Sequence, residues 1–158
     1  MCIRSFLAIC ILAVSCSSKG TSTSDPDNTS SAIPTSVAPA ISEFVEAMNL
    51  YRKDKGCGVL TWDASIASVA QAHSEDMIAR VFFDHTNPDG KSAFQRLSDA
   101  RVNYAAAAEN IAAGTTRGKD ILAIWLASSG HRSTIENCGY TLHGVGMKNG
   151  TWTHVFVR

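Results

Sequence analysis

Near the end of this chain, the dipeptide Asn149-Gly150 separates two runs in which apolar residues alternate. Both residue types tolerate positive φ. The pair therefore closes a two-residue type I′ turn, and the runs beside it must pair as an antiparallel hairpin. The strands are expected over residues 141–148 and 151–157, with Met147 opposite Trp152 and Val145 opposite His154. One face then carries Val145, Met147, Trp152, His154 and Phe156, and the other Thr151, Thr153, Val155 and Val157. Apolar residues on both faces need cover on both sides, which calls for helices above and below the sheet and an α/β class.

The helices are legible upstream. Ile41, Phe44, Val45, Met48 and Tyr51 recur at helical spacing, with Gly56 as the stop. A second helix begins at the N-cap Asp63 and carries Ile66, Val69, Ala70, His73 and Met77 on one stripe. After the turn Asn87-Pro88-Asp89-Gly90, a short helix over residues 94–101 turns Phe94 and Leu97 inward. A fourth helix over residues 119–127 presents Ile121, Leu122, Ile124 and Trp125, and Gly130 is expected to end it.

The N-terminus reads as export. Residues 1–15 hold one charge, Arg4, and an apolar run too short to span a bilayer, as in a secretory signal peptide. Leu12-Ala13-Val14-Ser15-Cys16 resembles a bacterial lipobox, with Cys16 as the lipidated residue. The alternative is an ordinary signal with an incidental cysteine. In a double-membraned organism Ser17 after the cysteine favours the outer membrane. Residues 16–38 are rich in Ser, Thr, Pro and Asp and have little to bury, which suits a flexible tether with a reach on the order of 25 Å. Residues 39–158 remain as one domain, long enough for a real core. The membrane is thus the expected partner, through a lipid on Cys16. The 14 basic and 14 acidic side chains cancel and form no long basic stretch, so nucleic acid is not an expected partner.

Cys2 and Cys10 leave with such a leader and Cys16 carries lipid, so Cys57 and Cys138 remain as a pair in an oxidising compartment. A disulfide is the default, closing a loop of about 80 residues worth about 4 kcal/mol in the chain-entropy model; two free thiols are the alternative.

Several motifs now stand in order: Leu60-Thr61-Trp62-Asp63, Phe83-Asp84-His85-Thr86, Arg96-Leu97, Ala108-Glu109-Asn110-Ile111-Ala112, Trp125 to Arg132, Gly144-Val145-Gly146 and Thr151 to Phe156. Together they resemble the CAP superfamily (cysteine-rich secretory proteins, wasp-venom antigens and plant pathogenesis-related proteins), in its bacterial branch. The resemblance implies an α-β-α sandwich around a central, mainly antiparallel sheet. It also implies a cleft in which two histidines and two glutamates can meet a divalent cation such as zinc. His85 matches the first histidine and Glu109 the first glutamate, although Ala108 stands where glycine is usual. Ser128 occupies the second glutamate's place, and the second histidine's place is expected near Thr151.

Proximity to Trp125 suggests His131 as a third metal ligand beside His85 and Glu109, and zinc needs three or four such donors. As catalytic residues, Glu109 would act as base and His85 would orient a water or substrate. No Gly-x-Ser-x-Gly elbow accompanies them. Other roles compete. His85 and Glu109 also suit a structural clamp, and His131-Arg132 a cap on the fourth helix. His73 has the place of a core histidine, His154 of a packing residue, and His143 of a strand-edge surface residue. Three functions follow. The first is a binding module with a reduced His/Glu cleft, whose ligand is a divalent cation, a lipid, a glycan or a protein. The second is a hydrolase, a peptidase or cell-wall enzyme using Glu109 and His85. The third is a structural surface protein that meets its partner through residues 102–116.

Overall fold

The computed structural model describes residues 33–34 and 37–158. The expected leader, the lipobox at Cys16 and most of the tether lie outside the described residues. Five helices and four strands follow in the order α1 (Pro39–Asp54), β1 (Thr61–Trp62), α2 (Ala64–Ala79), α3 (Ala93–Asp99), β2 (Ala107–Ala113), α4 (Gly118–Ala127), α5 (Ser129–Ile135), β3 (Leu142–Lys148) and β4 (Thr151–Val157).

Local chemistry explains the boundaries. Pro39 sits in the first turn of α1, where its missing N–H costs nothing. Asp63 caps α2 by accepting from the amides of Ser65 and Ile66 at 2.8 and 3.0 Å. Ser92 and Gln95 form a reciprocal capping box on α3. Asn149 and Gly150 take φ of 49° and 77°, the turn that their types predict. The hairpin register is the expected one, with Met147 opposite Trp152 and Val145 opposite His154.

The sheet order is β1-β3-β4-β2; β1 runs parallel to β3 and the other neighbours are antiparallel. Helices cover both faces, which makes an α-β-α sandwich. On one side α2 lies against Thr153, Val155 and Val157, and Ile66, Val69, Ala70 and Leu97 pack there. The helix approaches so closely that a Cβ on Gly144 or Gly146 would overlap the backbone of Ala67 or Gln71. On the other side α1 and α4 bury Phe44, Met48, Ile121 and Trp125 against Val145, Trp152 and Phe156. Each such large side chain contributes about 1.5–3 kcal/mol on burial. Ile33 and Val37, ahead of α1, are half-buried against the same core.

Arg52 is fully buried on α1 and has no carboxylate partner among the described residues. Its guanidinium donates to the carbonyls of Gly58, Ile135, Asn137 and Tyr140 at 2.6–3.2 Å. Those carbonyls lie at the end of α5 and in the two loops that the Cys57–Cys138 disulfide joins.

The structure corrects four expectations. The residues between 102 and 116 are not an exposed loop but contain β2, an edge strand paired along its length to β4. Helix α4 ends at Ser128, whose extended ψ of 123° breaks it, and Gly130 lies within a further helix, α5. Phe94 is 50% exposed on α3, whereas Leu97 is buried. His143 is not a surface residue; it is fully buried on the inner strand β3, with Nδ1 3.0 Å from Nε2 of His154. His154 does pack in the core, edge-on to Phe44 and tilted over Phe156.

Candidate functional site

Glu109 projects from β2 with its side chain 3% exposed, and three elements converge on it. The loop of residues 82–92 brings His85, whose Nδ1–H donates to Oε1 at 2.9 Å. Helix α3 brings Arg96, whose Nη2 donates to Oε2 at 2.6 Å. Helix α2 brings His73, with Nε2 4.0 Å from Oε1. Both oxygens of the carboxylate are therefore engaged, and its charge is matched by a guanidinium at direct contact.

The loop is built to hold His85 there. Asp84 accepts from the Thr86 amide at 2.7 Å, and the Asn87 side chain accepts from the amides of Asp89 and Lys91 at 3.1 and 2.9 Å. The other terminal nitrogen of Arg96, Nη1, donates to the carbonyls of His85 and Lys91, both at 2.9 Å. One arginine thus anchors the loop backbone and the buried carboxylate together.

The three histidines differ in electrostatics. The hydrogen bond to Glu109 holds His85 above its ordinary pKa, against a partial opposing effect of burial. Its side chain is 53% exposed. With Nδ1–H committed to Glu109, Nε2 is the nitrogen left for a ligand. Burial pushes His73 down, and its Nε2–H donates to the Asp84 carbonyl at 3.0 Å. His131, on α5, is also lowered by burial and, less strongly, by the charge of His85 nearby. Asn110 Nδ2 donates to the His131 carbonyl at 3.1 Å, which ties α5 to β2. Arg132, not His131, serves the end of α4, donating to the Leu126 carbonyl at 3.2 Å.

The structure thus joins His85 to Glu109, with His131 close by. Thr151 is remote from them. It pairs with Ala113, whereas Glu109 pairs with Val155, so the two positions stand about 13 Å apart along the strands. His131 is therefore the second histidine at this cleft.

The metal reading does not fit this geometry. Among the described residues no three His, Cys, Asp or Glu side chains are grouped to hold one ion. Arg96 already occupies one carboxylate oxygen with a positive charge, where a cation would be repelled. His85, Glu109 and His131 are thus not grouped around one point among the described residues. At 3% exposure the Glu109 side chain also offers an attacking water little access as a general base.

Sequence reasoning missed Arg96, whereas His73 is the core histidine its place on α2 suggested, 1% exposed and bonded to the Asp84 carbonyl. Arg96 follows a capping box and precedes the inward Leu97, but only the packing of α3 on β2 turns it toward Glu109. The usable signal was the glutamate itself, because a buried carboxylate facing only neutral groups would need a cation.

The solvent-facing part of the cleft is lined by His85, Thr86, Ser92, Ala93, Phe94 and Glu109. Phe94 offers an exposed apolar edge, tilted against Tyr104 at 6.4 Å between ring centroids.

Comparison with known proteins agrees with this architecture. The family model "CAP: Cysteine-rich secretory protein family" matches residues 45–157. The chain is 34% identical to the Bacillus subtilis protein YkwD over 142 residues, which cover 89% of this chain and 55% of YkwD. It is also similar to the crystal structure of an extracellular protein containing a SCP domain from Bacillus anthracis. There the TM-score is 0.73 at 34% identity, covering 75% of this chain and 40% of that one. An outer surface protein of Borrelia burgdorferi shares the fold, with a TM-score of 0.66 at 18% identity over 72% of this chain and 88% of that one. The chain thus spans about half of YkwD and less of the Bacillus anthracis protein. These structural neighbours are extracellular or surface proteins. Among the described residues no helix is long and apolar enough to cross a membrane.

Proposed function

Because the chain belongs to the CAP, or cysteine-rich secretory protein, family, we propose that it is an extracytoplasmic binding module. A lipid on Cys16 holds it at the cell envelope, and its cleft captures a ligand without turning it over. One observation carries this reading: both oxygens of Glu109 are engaged, by His85 and Arg96, so the carboxylate organises the cleft rather than reacting in it. What the cleft offers outward is the Nε2 of His85 and the ring of Phe94.

The ligand chemistry follows from charge. Arg96 balances Glu109, and among the histidines around it His85 is the one whose side chain is half exposed. When His85 is protonated, Nε2 becomes a donor, and the raised pKa extends that state to higher pH than in a free imidazole. An anionic group beside an apolar portion suits this pair of contacts, as in a short-chain anionic lipid.

Calorimetry with the protein and with His85→Ala tests this, using a short-chain phosphatidylglycerol below its micellar concentration, inorganic phosphate and zinc. Saturable lipid binding that His85→Ala abolishes, with zinc weaker than micromolar, is expected. Micromolar zinc binding lost in the same variant would return the cleft to a metal site. Turnover of a peptide or cell-wall substrate that Glu109→Gln removes would make the protein a hydrolase instead.

A further inference from the structure

The exit of α2 reads Ile78-Ala79-Arg80-Val81-Phe82-Phe83. Three of its large apolar side chains stand in solvent: Val81 is 89% exposed, Phe83 55% and Ile78 36%. Phe82 turns inward, its ring centroid 5.8 Å from that of His73, whereas its neighbours on both sides point outward. The Val81 side chain contributes nothing to the fold. At φ of 56° its backbone occupies a region that suits glycine, and its isopropyl group is left in water. Arg80 is the one charge in the run, and Asp76 and Asp89 pair with it at 2.6 and 2.9 Å.

The arrangement selects the kind of partner. The three side chains sit on a turn, not along a helix stripe or a strand, so they offer no repeating pattern for a second helix or strand to match. They suit a soft apolar medium that each can enter by itself. A bilayer is such a medium, and it is always at hand for a chain anchored at Cys16. Residues 16–38 reach on the order of 25 Å as a coil. A tether of that length makes the contact intramolecular, so even a weak apolar contact is occupied.

We propose that Ile78, Val81 and Phe83 form the face by which the anchored domain rests on the bilayer, with their side chains in the boundary between headgroups and acyl chains. The proposal rests on the lipid-anchored reading of Cys16. His85 follows Phe83 by two residues, so this docking presents the cleft to lipid headgroups.

The test uses the chain from Cys16 onward, which keeps every described residue. It is coupled through the Cys16 sulfur to a maleimide lipid in phosphatidylcholine–phosphatidylglycerol vesicles, while Cys57 and Cys138 stay in their disulfide. Chemical coupling makes the result independent of lipidation in the cell. Trp125 and Trp152 are fully buried, so fluorescence added by Phe83→Trp reports on the loop. Leu50→Trp is the control, at a 64% exposed position on α1, across the sheet from α2. Brominated lipid is expected to quench Phe83→Trp severalfold more than Leu50→Trp. Adding Ile78→Ser and Val81→Gly, the second of which relieves the left-handed backbone, should reduce that quenching severalfold. His85→Ala should leave it unchanged, so loss of lipid binding in the cleft and loss of docking are read separately. Equal quenching at positions 50 and 83, or none at 83, overturns the proposal. So does quenching that His85→Ala removes, which would assign the contact to the cleft. A blue shift that grows with protein concentration in the absence of vesicles would overturn it too, making a second copy of the chain the occupant.

Discussion

Val81 is the residue whose conformation fits its side chain least. It takes φ of 56° just past α2 and is 89% exposed. The Phe82 amide reaches back to the Met77 carbonyl at 3.1 Å, so Val81 fills the left-handed position of a helix-ending motif that normally holds glycine. A β-branched residue there costs about 1–2 kcal/mol, offset in glycine by the greater entropy of the unfolded chain. Val81→Gly is expected to raise stability by about 1 kcal/mol in urea unfolding. Arg96 makes the opposite prediction. Its side chain and that of Glu109 are 10% and 3% exposed, so removing the cation strands a buried carboxylate. Arg96→Met should cost about 3 kcal/mol, and adding Glu109→Gln to it should recover much of that loss. A double-mutant cycle of denaturation midpoints measures the coupling.

At the scale of elements, the β3–β4 hairpin holds an acid-sensitive pair. His143 and His154 share one hydrogen bond, so at least one ring supplies a lone pair, and neither packs against a carboxylate in the contacts seen. Burial pushes His143 down to about 3, and the nearby charge of Arg52 adds to this. His154 is lowered well below its ordinary value by burial and by His143. The unfolded chain therefore binds more protons than the folded one below the ordinary value of 6.5, and stability falls as pH drops from there toward about 3. His85 has the opposite sign. Its raised pKa contributes stability that is complete below 6.5 and lost as pH rises through the folded value. Unfolding midpoints across this range should decline on the acid side, and replacing both buried histidines by leucine should flatten that limb. The same hairpin shows what alternation can tell. Its register was readable because a two-residue turn leaves no slack, and a one-residue slip would turn every inward side chain outward. Strand β2 was not readable in the same way. AAENIAA has weak strand propensity, and it is extended because β4 offers it a ladder of hydrogen bonds.

At the scale of the molecule, the Cys57–Cys138 bond and Arg52 tie the same two loops. They act on different states. The disulfide shortens the unfolded chain across a separation of 81 residues, whereas the arginine stabilises the folded loops. Replacing both cysteines by serine should lower stability by about 4 kcal/mol and steepen the dependence on denaturant, because the unfolded chain then expands further. The amide spectrum of the folded form should change only near residues 57 and 138, since Arg52 still holds the loops.

By itself the sequence determined what depends on near neighbours in the chain: the hairpin and its register, the cap of α2, and the stripes of α1 and α2; the pairing of Cys57 with Cys138 was the default by cysteine count alone. Turn conformations, caps and periodicities are set within a few residues, so residue type suffices to read them. Tertiary structure decided whatever needs a distant partner. It buried His143 beside His154, drew an alanine-rich segment into the sheet, brought His131 rather than position 151 to the cleft, and turned Arg96 onto Glu109. The last of these depends on the docking of α3 against the sheet, which places a charge from one element within hydrogen-bonding distance of a carboxylate on another. No local pattern encodes that distance.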